Sequence, residues 1–391
     1  MPTQKATHQA TKQHNRDLVL KTIFSQDKIS RAEIARLTEL TRPTVSEIVS
    51  GLLAEGLIDE VGTGSSMGGK PSILLSLLPD SRYLIGINLA QSRFIASIVN
   101  LRGEIKKTVE VSVRGGDGEK AIELVYQILD QLLKESYKPI VGIGVGTPGL
   151  INTRTGIVLR AVNLDWQALP LARLLEERYH LPVRILNDSQ ATAIGEFVYG
   201  GHRSDGNLIV VNVSHGIGAG ILIHGRLFQG DGGGAGELGH ILVEEDGRRC
   251  RCGRRGCLGS LASGWANVQA VKQLPGLSAI TSLDLVRTKF DAGDPSVQKL
   301  ILEAGRHLGK AMGGLVGTLN IKTITLTGDV TRFGELWLEA VRHSMQTAAL
   351  KRMTRDTHLE IGRLDYRACI LGSSAYLLLN DYSLLFRQKD N

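Results

Sequence analysis

Between residues 15 and 55 the apolar positions recur at helical spacing, and after Gly56 the spacing changes to that of strands. Leu18, Val19, Ile23 and Phe24 share one face of a helix over residues 15–24. Ser30-Arg31-Ala32-Glu33 has the form of a capping box, in which Ser30 caps the helix start and Glu33 reaches back. That helix is predicted to run to about Leu37, with a turn from Thr38 to Leu40. Thr41 then caps a further helix, and Pro43 sits in its first turn, where a missing N–H does no harm. Val45, Ile48, Val49, Leu52 and Leu53 give this helix its buried stripe. Residues 57–61 and 72–77 read as two strands joined by the Gly- and Ser-rich link GTGSSMGGKP, which carries Lys70. Helix, capped helix, turn, capped helix and hairpin together predict a winged helix-turn-helix over residues 1–79.

From Arg82 the pattern restarts. Residues 83–90, 93–99 and 104–113 read as strands, 121–134 as a helix, and 140–145 as a buried strand ending in Gly-Thr-Pro-Gly. A helix over 169–179 precedes a strand over 183–186. A second block opens at Asn207 with the strand LIVVNV, a glycine-rich turn and the strand GAGILI. Two blocks with similar openings predict an α/β body of two lobes. The expected limits are 80–195 for the first lobe and 196–371 for the second, which is also expected to carry the dimerisation surface. A C-terminal helix over 372–391 is expected to return to the first lobe.

Composition adds scale and sign. The chain has 391 residues, of which 42% are hydrophobic and 22% charged, enough for a large core and two or three domains. Its net charge of +7 favours a polyanionic partner. Residues 1–50, however, hold eight Lys/Arg against five Asp/Glu, so the DNA-binding reading rests on architecture more than charge. In that reading the helix after Thr41 enters the major groove. Arg42 is placed to contact guanine, and Thr44 or Ser46 a phosphate or a base edge. Arg31, Thr41 and Glu47 complete the face, with Glu47 open to being only a solvated helix position. Lys70 in the wing would reach phosphate or the minor groove. No run is long and apolar enough to span a membrane, and the polar start lacks a secretory signal, so the expected location is the cytoplasm.

Three of the four cysteines lie within eight positions, which in a reducing compartment points to metal before disulfide. Three thiolates (Cys250, Cys252, Cys257) and the imidazole of His240 make a closed tetrahedral set for structural zinc, with no position left for a catalytic water. Arg248, Arg249, Arg251, Arg254 and Arg255 would offset the thiolate charge. Cys369, in an apolar stretch, is expected in the core.

The stretch from Gly216 to Gly264 resembles the signature region of the ROK family of repressors, open reading frames and sugar kinases. That resemblance implies an actin-like, hexokinase-like body of two lobes over residues 82–376. The wing sequence GSSMGGKP resembles that of the family's xylose, glucose and N-acetylglucosamine repressors. By the same resemblance Asn187 and Asp188 match the family's Asn-Asp pair, whose Asp is the general base in the kinases. Glu237 matches a sugar-contacting Glu, and His240 a residue that both binds zinc and lies beside the sugar. Asn163 and the turn Gly146-Thr147-Pro148-Gly149 match cleft-lining segments. Two departures bear on function. Gly259 stands where members carry a sugar-contacting Glu. The first phosphate loop, Asp-x-Gly-Gly-Thr in the kinases, reads Asn88-Leu89-Ala90-Gln91-Ser92, and the adenosine-side glycine pair reads Gly328-Asp329. The second loop, His215 to Gly220, persists. The expectation is a sugar-responsive repressor of carbohydrate transport and catabolism genes without kinase activity. Its expected partners are operator DNA, a sugar or sugar-phosphate effector and further copies of itself, as a homodimer or homotetramer. The alternative is an ATP-dependent sugar kinase with an added DNA-binding domain.

Overall fold

A computed structural model describes residues 8–26, 28–64, 71–90, 92–113, 115–203, 205–382 and 385. Lys70 and Gln91 therefore lie outside the described residues. The N-terminal head has helices α1 (His8–Ser25), α2 (Arg31–Thr38) and α3 (Arg42–Ala54). Both arms of the expected capping box are present: Glu33 N–H donates to Ser30 Oγ at 3.2 Å, and Ser30 N–H to the Glu33 carboxylate at 3.1 Å. Thr41 caps α3 by accepting from Thr44 N–H. Strands β1 (Ile29–Ser30), β2 (Ile58–Thr63) and β3 (Ile73–Leu77) form a small sheet in the order β1-β3-β2. Val19, Leu20, Ile23, Ile34, Val45, Val49, Leu52, Leu57 and Leu75 are fully buried in the head core. Each such aliphatic chain contributes roughly 1.5–3 kcal/mol.

The body holds two five-stranded sheets of the same topology. The first has β4 (Tyr83–Leu89), β5 (Arg93–Asn100), β6 (Ile105–Ser112), β7 (Ile140–Thr147) and β11 (Val183–Asn187), ordered β11-β7-β4-β5-β6. Between β7 and β11 a three-stranded sheet forms from β8 (Leu150–Asn152), β9 (Ile157–Ala161) and β10 (Trp166–Leu169). The second large sheet has β12 (Leu208–Val213), β13 (Ile217–Ile223), β14 (Arg226–Phe228), β15 (Thr323–Thr327) and β16 (His358–Ile361), ordered β14-β13-β12-β15-β16. In each, the first three strands pair antiparallel and the remaining two add in parallel. The similar openings at 82 and 207 are thus the first strands of two equivalent sheets.

Helices α4 (Gly118–Leu132) and α5 (Leu171–Tyr179) cover the first sheet. The second carries α7 (Leu258–Ala262), α8 (Gly264–Lys272), α9 (Leu283–Asp291), the long α10 (Pro295–Leu319), α11 (Glu335–Thr347) and α12 (Lys351–Arg355). Two helices are exchanged. α6 (Asp188–Tyr199) leaves the first sheet and packs on β12 and β13, whereas α13 (Arg367–Asn380) leaves the second and packs on β4 and β7. They also pack on each other, closely enough that a Cβ on Gly372 would stand 1.7 Å from the Ala191 carbonyl. α6 runs unbroken through 195–196 because its residues 189–198 are all buried between the sheets. α13 begins at Arg367 rather than 372, since Ala368, Cys369, Ile370 and Leu371 are already buried there.

The head is fixed to the body at the end of α1. Arg102, after β5, donates to the Phe24 and Gln26 carbonyls at 3.1 and 3.0 Å. Arg203, after α6, donates to the same Phe24 carbonyl at 3.1 Å and lies 4.8 Å over the Phe24 ring. One apolar cluster joins the head core to α6, α13 and Tyr382. No helix among the described residues is long and apolar enough to cross a membrane.

Candidate ligand cleft, metal cluster and nucleic-acid face

A cavity of about 490 Å³ opens between the two sheets, and the start of α6 forms its floor. Asn187 is committed to building that floor. Its Oδ1 accepts from the Ser189 and Gln190 amides, and its Nδ2 donates to the Gly149 carbonyl at 3.0 Å. Asp188 follows as the first residue of α6, with Oδ1 accepting from Ser189 N–H at 2.8 Å. Burial raises the Asp188 pKa above its ordinary value despite these donors. Glu237 faces the same cavity, its pKa raised by burial and then by the nearby Asp188. His240 Nε2 lies 3.9 Å from the Glu237 carboxylate. Asn163, Asn187, Asp188, Glu237 and His240 therefore line one cavity, as does the Pro148-Gly149 end of the turn after β7. Gly259 lines it too, where a Cβ would stand 3.0 Å from the Gly239 carbonyl.

His240 turns its other nitrogen to the cysteines. The four ligand atoms of His240, Cys250, Cys252 and Cys257 all lie within 4.8 Å of one another. Cys250 Sγ is 3.7 Å from His240 Nδ1, and Cys252 Sγ is 3.7 Å from Cys257 Sγ. A tetrahedron built on metal–sulfur bonds of about 2.3 Å has edges of roughly 3.8 Å, so these spacings fit a single four-coordinate ion. The Arg254 N–H leads in holding the Cys252 thiol down at about 6, while burial pushes Cys257 up to about 12. Cys369 is buried in the core as expected.

Three cavity residues were not singled out as ligand contacts from the sequence. Arg251, between two thiolate positions, donates to Asn163 Oδ1 across the cleft at 3.0 Å and covers the Trp265 ring at 4.6 Å. Arg160, on β9, lines the opposite wall. Nothing in the spacing marks them; only the closing of the two sheets around the metal loop brings them together. Leu89 and Ala90 of the altered first phosphate loop border the same cavity, as do His215, Gly216, Ile217 and Gly218 of the second. A larger open groove of about 830 Å³ lies behind the metal loop against α10, but it contains none of these residues.

On the head, Arg42 and Ser46 are exposed on α3. Thr41 and Thr44 share a 2.9 Å hydroxyl contact, which commits Thr41 to capping. Glu47 pairs with Lys12 at 3.1 Å, and Arg31 pairs with Glu60 at 3.0 Å. The face presented by α3 is thus Arg42, Thr44 and Ser46, flanked by two ion pairs.

The sequence model of the ROK family matches residues 84–379. A putative xylose repressor of Caldicellulosiruptor sp. is 34% identical over 387 residues, covering 95% of this chain and 97% of that protein. Among solved structures, a ROK family transcriptional regulator, homolog of the E. coli MLC protein, superposes with a TM-score of 0.84 at 26% identity and covers 96% of this chain and 98% of its own. A ROK family glucokinase from Streptomyces griseus in complex with glucose and AMPPNP reaches a TM-score of 0.68 at 26% identity, covering 75% of this chain and 98% of its own.

Proposed function

Because the chain belongs to the ROK family, we propose that it is a sugar-responsive transcriptional repressor of carbohydrate transport and catabolism genes. One observation carries this reading. The likeness to the transcriptional regulator spans head and body together, whereas the likeness to the glucokinase covers only 75% of this chain. Residues 1–79 are read as the DNA-binding head, 80–195 and 196–371 as the lobes, and α3 with Arg42, Thr44 and Ser46 as the groove-reading surface. Thr41, Glu47, Arg31 and Lys70 flank it. In the body, Asp188 and Glu237 accept hydrogen bonds from sugar hydroxyls, Asn163 adds an amide, and His240 stands beside the ring. Asn187 holds the α6 start in place.

His240, Cys250, Cys252 and Cys257 would hold zinc, which as a closed site supplies cross-linking and not chemistry. It would fix the imidazole that faces the sugar. Kinase activity is lost in this reading. A phosphate loop needs backbone N–H groups close to the phosphates, and Ala90 brings a side chain where the kinases have glycine. Asn88 removes the carboxylate near the nucleotide's metal ion. The intact Asp188 and second loop favour the competing reading of an active sugar kinase. Sugar-dependent ADP release at enzymatic rates would establish that reading and overturn ours.

Two copies would present two heads to a palindromic operator. A sugar that favours one arrangement of the lobes changes operator affinity by its differential affinity for the two arrangements. α6 carries the signal, since it starts at Asp188 and ends just before Arg203, which grips α1. The test is operator binding by fluorescence anisotropy at fixed salt, with and without saturating sugar. A change of about fivefold or more is expected. No change with any sugar that binds would remove the coupling.

A further inference from the structure

We infer that the effector of this cleft is a neutral disaccharide, whose second ring lies in a subsite built by Trp265, Arg251 and His215. The inference rests on the sugar-cleft reading above and names the size and charge of its ligand. The groups that line the cavity include two separate clusters. In the first, His240 Nε2 lies 3.9 Å from the Glu237 carboxylate, and Glu237 feels the charge of Asp188. In the second, the Arg251 guanidinium lies 4.6 Å over the Trp265 ring, and the Trp265 backbone N–H donates to the His215 carbonyl at 3.4 Å. Asn163 links to the second cluster from the other lobe by accepting from Arg251 at 3.0 Å. At the packing density of protein interiors a pyranose fills on the order of 200 Å³. The cavity of about 490 Å³ therefore leaves room for a second ring beside the first.

The chemistry of the second cluster suits a sugar ring. An indole stacked with a guanidinium offers a flat wall with N–H donors along its edge, and a pyranose has the matching surface, C–H groups on its face and hydroxyls around its rim. His215 Nε2 is a buried atom with no hydrogen-bond partner among the described residues. Burial, and then Arg251, push the His215 pKa down to about 4, so at pH 7 the ring is neutral and can share a hydrogen bond with a hydroxyl. A neutral imidazole holds no phosphate by charge. Nor does the cavity as a whole call for an anion, because Asp188, Glu237 and the Cys250 and Cys252 thiols share it with Arg251 and Arg160. His215 opens the loop that the family's kinases use for phosphate, and Ala90 of the other loop brings a methyl to the same cavity. The space a nucleotide would need is thus lined for an uncharged ring. A second ring against Trp265 also competes for Arg251, and so acts on the bond that Arg251 makes across the cleft to Asn163. A single ring held by Asp188, Glu237 and His240 leaves that bond in place.

The test is isothermal titration of the full-length chain with matched ligands. The single rings are xylose, glucose and N-acetylglucosamine. The paired rings are xylobiose, cellobiose, maltose and N,N′-diacetylchitobiose, with glucose 6-phosphate and ATP as separate arms. The tightest ligand is expected to be a disaccharide, by about tenfold or more over its own monosaccharide. Trp265→Ala is expected to bring that ratio close to one while monosaccharide affinity stays within about twofold, and Trp265→Phe to keep most of the ratio. Unchanged metal content and melting temperature are the folding control. His215→Ala, which leaves the indole in place, is an independent second arm and is expected to lower the ratio in part. A monosaccharide that binds as tightly as its disaccharides overturns the inference while the sugar cleft stands. So does a Trp265→Ala protein that keeps the ratio, or one that loses both affinities equally. Tightest binding by glucose 6-phosphate, or binding of ATP, also overturns it, because the second cluster then takes an anion. If no member binds, this inference and the sugar reading fall together.

Discussion

At position 188 a carboxylate is held where burial opposes its charge. Its folded pKa is raised, so the folded state binds a proton more tightly than the unfolded chain does. Above both pKa values this counts against stability, and the loss fades as pH falls through the raised value. Asp188→Asn is therefore expected to raise the melting temperature at pH 7, with the gain shrinking on acidification. The same change removes a charged hydrogen-bond acceptor worth about 1.5–3 kcal/mol, so sugar affinity should fall roughly 10- to 100-fold in calorimetry. A variant that loses stability at pH 7 would show the carboxylate to be structural. On the head, Arg42 is the exposed arginine at the start of α3. Arg42→Ala should weaken operator binding by about 1–3 kcal/mol and random DNA less, read by anisotropy against both duplexes. An equal loss on both would make it a phosphate contact. Arg42 was readable in the sequence because Thr41 and Pro43 mark a helix start, whereas Asp188 was read only through the resemblance to the family's Asn-Asp pair. Arg251 and Arg160 were not readable, since their meaning lies in which walls they share.

Among the elements, the caps and the stripe of α3 were readable because their causes are local: Ser30, Thr41, Pro43 and the spacing of Val45, Val49 and Leu52. What sequence could not place was the exchange of α6 and α13. An all-round buried helix has no polar face to mark its partner, and residues 189–198 of α6 are all buried. Gly372 tests that packing. In an ordinary helix Gly→Ala stabilises by roughly 0.5–1 kcal/mol. Here the new methyl would meet the Ala191 carbonyl at 1.7 Å, so Gly372→Ala is expected to destabilise by about 1–3 kcal/mol in urea unfolding. A stabilised variant would contradict the contact. The His240–Cys257 loop is the opposite case: its candidate ligands were readable from residue type and spacing, and folding brings their atoms within 4.8 Å, close enough to hold a metal ion. Cys252→Ser should abolish stoichiometric zinc in elemental analysis, speed proteolysis between 240 and 257, and weaken sugar binding through His240. Wild-type protein that purifies without zinc, and takes up none, would remove the metal's role.

For the whole molecule the question is how a cavity near Asp188 speaks to α3. The head's core is continuous with α6, α13 and Tyr382, so the head is not a bead on a flexible tether. Two guanidiniums close the connection by capping the carbonyl end of α1, where helix geometry leaves acceptors unsatisfied. Arg102 comes from the first sheet and Arg203 from the end of α6, so the two grips sit on parts that a change in lobe angle would move relative to each other. Arg203→Ala removes the α6 grip and its stacking on Phe24 but leaves Arg102, the apolar cluster and the sugar cleft in place. Sugar affinity of the DNA-free protein should then stay within about twofold, and the sugar-induced change in operator affinity should fall toward one. Reciprocity supplies a second readout. If the coupling is lost, operator DNA must equally cease to alter sugar affinity, which titrating sugar into the preformed complex would show. A variant that keeps the full response in both directions would mean the signal leaves the body by another path, across the surface between two copies of the chain.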